Sequence, residues 1–148
     1  MLRAAAVGGV AVVLATAGCS DGDRLSRVEF RTRANTICAK YYAKIKRALR
    51  DVSGDAQTRA TAIRTAVAYS RKGTQELDAL EPPKLYESKY EEFSRLNHEG
   101  NREADKLAAA VRANDEDAWA ATLTKLDALG RRADRLAAQM GLRKCVSG

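Results

Sequence analysis

Apolar residues recur at three- and four-residue steps in four successive stretches of the chain, the spacing of one buried helix face. The first stripe is Phe30, Ala34, Ile37, Tyr41, Ile45, Ala48 and Val52. Ser26 and Glu29 stand three apart ahead of it, as in a capping box, with Leu25 and Phe30 at the spacing of a hydrophobic staple. Ser53-Gly54 closes this stretch, and Asp55 is placed to cap the next. The second stripe runs Ile63, Ala66, Val67, Ser70, Thr74, Leu77 and Leu80, and stops at Pro82-Pro83, because proline disfavours helical geometry in the residue before it. The third comprises Tyr86, Tyr90, Phe93, Asn97, Gly100, Ala104, Leu107 and Val111. Asn114-Asp115 then caps a fourth, with Trp119, Leu123, Leu126, Gly130, Ala133, Leu136 and Met140, and Gly141 suits a left-handed C-terminal cap.

These patterns predict helices over about 26–53, 55–81, 83–113 and 115–140, followed by a short tail. No run alternates as a strand would. Short connections favour antiparallel neighbours. The expected fold is therefore all-α: an antiparallel up-down-up-down four-helix bundle closed by one disulfide.

The first eighteen residues follow a different pattern. Met1-Leu2-Arg3 is a short positive start, and residues 4–17 are apolar apart from Gly8, Gly9 and Thr16. That run is too short for a span of roughly 20 apolar residues, and it fits the apolar core of a secretory signal. Leu14-Ala15-Thr16-Ala17-Gly18-Cys19 resembles the bacterial lipoprotein signal, with Thr16 where leucine is usual. It implies that residues 1–18 are removed and that Cys19 is acylated, with palmitate as the expected kind of lipid. Residues 19–25 then form a tether to an extracytoplasmic domain over 26–148, on the outer face of the bacterial cell membrane.

Three cysteines are an odd number for an exported chain. With Cys19 lipidated, Cys38 and Cys145 remain as a pair in an oxidising compartment, and a disulfide between them is expected. Cys38 lies about three turns into the first helix. Either that helix overhangs the bundle or the tail after Gly141 folds back along it. Neither cysteine has a second cysteine or a histidine at ligand spacing, so no metal is expected.

Ala34-Asn35-Thr36-Ile37-Cys38, Leu77-Asp78-Ala79-Leu80-Glu81-Pro82-Pro83 and Met140-Gly141-Leu142-Arg143-Lys144-Cys145 together resemble small actinobacterial secreted lipoproteins. The resemblance implies a helical domain with paired cysteines and supplies no activity.

Catalytic chemistry finds little support. His98 is the only histidine, and its helical neighbours Ser94, Arg95, Asn101 and Arg102 include no carboxylate to orient it. No nucleophile elbow, phosphate loop or metal-binding helix motif occurs, and no cofactor is implied. Ser70, Thr74, Asn97, Gly100 and Gly130 stand where a bundle usually has leucine or valine. Either small residues let helices approach closely, the more ordinary outcome, or Ser70, Tyr90 and Asn97 border a ligand pocket.

Charge adds one more feature. The chain carries 26 Lys and Arg against 19 Asp and Glu, and the first helix is its most basic part. Arg33, Lys40, Lys44 and Arg47 form a candidate basic patch for an anionic lipid surface, the second signal beside a lipid chain. The compartment argues against nucleic acid as partner. The leading expectation is a non-enzymatic interaction module at the cell envelope. The alternative is a lipoprotein that binds a small apolar or amphipathic ligand between its helices.

Overall fold

A computed structural model describes residues 24–50 and 54–147. Cys19, Val52 and Ser53 lie outside the described residues, so the expectations about lipidation and the end of the first stripe do as well. Four helices are present, α1 (Arg27–Ala48), α2 (Ala56–Asp78), α3 (Glu87–Ala113) and α4 (Glu116–Met140), with 3-10 turns at Lys84–Tyr86 and Arg143–Cys145. No strand occurs among the described residues.

Local chemistry sets the helix ends. The Ser26–Glu29 capping box forms in both directions, at 3.3 Å to the Ser26 hydroxyl and 3.1 Å to the Glu29 carboxylate. Asp55 and Asp115 accept from the backbone of Thr58 and Ala118 at 2.7 and 2.9 Å. Asn114 ends α3 with φ 54° and Gly141 ends α4 with φ 78°. In both, the next residue's N–H reaches five positions back, Asp115 to Ala110 and Leu142 to Ala137, the Schellman pattern.

α2 stops at Asp78, earlier than the proline pair alone requires. The chain ahead of α1 uses the released backbone: Leu25 N–H donates to the Glu81 carbonyl at 3.0 Å, and Arg24 to that of Pro82 at 3.1 Å. Arg24 also pairs with Glu87. The start of the domain is thus fastened to the α2–α3 connection.

Neighbours in sequence pack together: α1 on α2, α2 on α3, α3 on α4. α1 and α4 share at most marginal direct contact, and α1 meets the tail instead. The main core joins the start of α1 (Phe30, Ala34), the end of α2 (Leu77), the start of α3 (Tyr90, Phe93) and the end of α4 (Ala137, Met140), with Tyr86 and Leu142. Phe30 meets Tyr90 edge-on at 5.0 Å between ring centres and Tyr86 at 6.0 Å, arrangements that add to simple burial. Phe30, Met140 and Leu142 are fully buried, each contributing roughly 1.5–3 kcal/mol.

The Cys38–Cys145 disulfide closes a sequence separation of 107 residues. Its register is met by the tail, which turns at Gly141 and folds back along α1. Arg31 Nε donates to the Met140 carbonyl at 2.9 Å, and Asn35 both donates to the Gly141 carbonyl and accepts from Lys144 N–H. Arg31 also lies over the Tyr86 ring. Of the two ways to bring the cysteines together, the structure uses the folded-back tail.

Candidate functional site: the open seam between the first and last helices

Because α1 and α4 do not pack along their length, a cleft of about 340 Å³ opens between them. Its floor belongs to α2 and α3 (Val67, Ser70, Leu96, Asn97), and its sides to α1 (Ile45, Leu49) and α4 (Leu126, Leu129). A second hollow of about 210 Å³ continues it over the disulfide, sharing Ile45, Ser70, Asn97, Gly130 and Ala133. The lining is mostly aliphatic, the composition of small-molecule sites in general.

Polar groups at the floor are few and mostly engaged. Asn97 donates to the Phe93 carbonyl at 2.9 Å, Asn101 to the Thr74 hydroxyl at 3.2 Å, and Thr74 to the Ser70 carbonyl at 3.1 Å. Among the described residues no hydrogen bond reaches the Asn97 amide oxygen or the Ser70 hydroxyl. No buried polar side-chain atom among the described residues lacks a partner.

The glycines separate the two readings of the small inner residues. An added Cβ at Gly100 or Gly130 would meet nothing within 4 Å, so both lie against open space. At Gly73, which the pattern does not single out, a Cβ would come within 3.1 Å of the Tyr41 side chain. Close helix approach therefore occurs at Gly73, between α1 and α2. Gly100 and Gly130 line the cleft. Of the three residues expected to border a pocket, Ser70 and Asn97 do so. Tyr90 lies elsewhere, in the aromatic core, with its hydroxyl donating to the Leu77 carbonyl at 2.6 Å. Burial pushes its pKa well above the ordinary phenol value, which keeps it a neutral donor.

The candidate basic patch divides. Lys40 pairs with Glu76 at 2.7 Å, and Glu76 also accepts from the Tyr41 hydroxyl at 2.6 Å. The Lys40 and Tyr41 hydrogen bonds hold the Glu76 carboxyl below its ordinary pKa. Lys44 lies over the rings of Tyr41 and Tyr69. These two lysines thus fasten α1 to α2. Arg33 and Arg47 are exposed and form no ion pair among the described residues.

Two polar groupings were hidden from the sequence pattern. His98 Nε2 donates to Asp78 at 2.8 Å, a carboxylate from the neighbouring helix rather than its own. The same carboxylate accepts from Ser94 at 2.5 Å. Asp78 stands between histidine and serine, so the imidazole does not address the hydroxyl as a general base would. Glu103, nearly covered, accepts from Lys106 and Lys125 at 2.8 Å each. Those bonds hold its carboxyl below the ordinary range. Among the described residues no cluster suits a metal ion, and no helix is long and apolar enough to cross a membrane.

Comparison with known protein families, curated proteins and solved structures finds no match to this chain.

Proposed function

We propose that this chain is a lipoprotein anchored through Cys19 on the outer face of the bacterial membrane, whose helical domain holds a slender apolar ligand without catalysing a reaction. The carrying observation is the unfilled seam between α1 and α4. The bundle is read as up-down-up-down, since the start of α1, end of α2, start of α3 and end of α4 share one core cluster. In that topology α1 and α4 should be neighbours along their whole length. They are joined at one end only, by the tail and its disulfide.

The lining specifies the occupant: a single hydrocarbon chain with one small hydrogen-bonding group. Aliphatic sides accept the chain, and Ser70 and Asn97 supply a hydroxyl and an amide oxygen at mid-floor. No charged side chain lines the main cleft, so a ligand charge would remain at the mouth. Ligand binding is favoured over a purely interacting module, because the latter needs no such hollow. Attraction of Arg33, near the start of α1, to anionic lipid is a second contribution to anchoring, weakened by salt.

Titration of the purified mature protein with a polarity-sensitive fluorescent fatty acid tests the ligand reading. Saturable binding is expected, with a rise in thermal stability, and Gly130→Leu should fill the cleft and abolish it. A wild-type protein that neither binds nor gains stability would rule the reading out. Metabolic labelling with a fatty acid tests the anchor separately: the wild type should take the label and Cys19→Ala should not.

A further inference from the structure

We infer that the end of the domain from which the chain leaves toward Cys19 is a membrane-contact surface, with Val28 and Leu85 entering the bilayer interface. The inference rests on the acylated Cys19 proposed above. It concerns different residues from the α1 basic patch, and it specifies how the domain stands on the lipid.

Large apolar side chains are least covered at two places, Val28 with 74% of its surface exposed and Leu85 with 62%. No other described large hydrophobic exceeds 46%. These two lie at one end of the molecule, although 57 positions separate them in sequence. Val28 precedes Arg31 by one helical turn, and Leu85 directly precedes Tyr86, the ring over which Arg31 lies. The core gives neither a reason to be apolar.

The emerging chain indicates what covers them. Arg24 and Leu25 are fastened to the α2–α3 connection through the carbonyls of Pro82 and Glu81 and through Glu87. The segment leading back to Cys19 therefore starts at this same end. Arg24 follows Cys19 by five positions, a reach of at most about 18 Å when extended. The opposite end of α4 lies roughly 35 Å farther off at 1.5 Å per residue. A lipid on Cys19 thus keeps the Val28–Leu85 end close to the bilayer.

A cation stands next to each of the two apolar side chains in the sequence. Arg27 and Lys84, the sequence neighbours of Val28 and Leu85, are exposed, and neither forms an ion pair among the described residues. Of the acids nearby, Glu87 is held by Arg24 and Glu29 by the capping box, while Glu81 and Glu91 are exposed. Apolar side chains with adjacent cations add a second signal to a lipid anchor.

The chain's single tryptophan supplies the control, because Trp119 lies in the first turn of α4, about 32 Å along that helix from Met140. Acylated protein is reconstituted in anionic vesicles whose lipids carry bromine on their acyl chains, a short-range quencher. In a Trp119→Phe background, Leu85→Trp should lose most of its emission relative to ordinary lipid, and Val28→Trp should do so independently. Wild-type Trp119 should be unaffected. Unquenched reporters at both 28 and 85, in protein that floats with the vesicles, would overturn the inference and leave these residues to a protein partner. Quenching of Trp119 instead would also overturn it, by placing the far end on the lipid. Protein that fails to float because Cys19 bears no lipid would end the anchor reading, and this inference with it.

Discussion

The two halves of the helical domain are built from the same four helices with the same spacing, yet one is filled and the other is not. At the tail end, Phe30, Tyr86, Tyr90, Phe93, Met140 and Leu142 are all buried. Toward the other end, Leu49, Trp119 and Leu123 keep more than a third of their surface exposed, and the cleft lies between. Side-chain volume makes the difference. The filled half places aromatic rings at inward positions, and the tail wedges Leu142 beneath them. The open half has Ser70, Asn97, Gly100 and Gly130 at equivalent positions, and side chains this small cannot bridge from α1 to α4. Periodicity marks which face points inward, and volume decides whether that face closes.

The largest effect expected concerns the closure itself. Joining positions 107 residues apart restricts the unfolded chain by as much as about 4.7 kcal/mol. Cys38→Ala with Cys145→Ala should therefore lower unfolding free energy in denaturant titrations by several kcal/mol and loosen the tail from α1. Equal stability of oxidised and reduced protein would mean that Asn35 and Arg31 alone hold the tail.

The next prediction contrasts the halves directly. Phe30→Ala should destabilise by about 3–5 kcal/mol, the usual range for a fully buried ring. Leu126→Ala, at the side of the cleft, should cost no more than about 1.5 kcal/mol. Similar losses in both would show the far half to be packed, and the ligand proposal would fail with it.

Acid should act through carboxylates that bind cations. Glu103, Glu76 and Glu92 are each held below the ordinary value of 4.5 by hydrogen bonds, to Lys106 and Lys125, to Lys40 and Tyr41, and to Arg95. A carboxyl with a depressed folded pKa stabilises above its unfolded value, and this is lost as pH falls through the folded one. Thermal melts should therefore be flat near neutrality and fall below about pH 4.5. Glu103→Gln should flatten that fall, since Glu103 alone of the three is nearly covered.

The smallest effect is the most discriminating. Gly130→Ala and Gly100→Ala should raise stability by about 0.4–1 kcal/mol, because a helical alanine restricts the unfolded chain and its methyl meets only open space. Gly73→Ala should be destabilising, since its methyl would press on Tyr41. If Gly130→Ala destabilises, α1 and α4 close over the seam in solution.

Much of the architecture was legible along the chain. The all-helical class, the Ser26, Asp55 and Asp115 caps, the left-handed stop at Gly141 and the Cys38–Cys145 pair rest on local chemistry or on counting. Ser70 and Asn97 were legible as small polar residues on inner faces. The place of Tyr90 was not legible, because its position within the stripe could not show that its hydroxyl reaches the Leu77 carbonyl of another helix. The carboxylate beside His98 was missed for a similar reason: Asp78 is 20 residues away in sequence and faces it only once α2 and α3 pack.

The sequence by itself determined how many helices form, the caps of Ser26, Asp55 and Asp115, which faces are apolar and which cysteines can pair, because capping, periodicity and thiol count act within a few residues or by composition. Tertiary structure alone decided that the tail folds back along α1, that Gly73 rather than Gly100 or Gly130 is a close contact, and that the seam between α1 and α4 stays open. Those outcomes depend on summed side-chain volumes across facing helices and on hydrogen bonds spanning more than a hundred positions, as between Asn35 and Lys144. A pattern read one helix at a time contains neither.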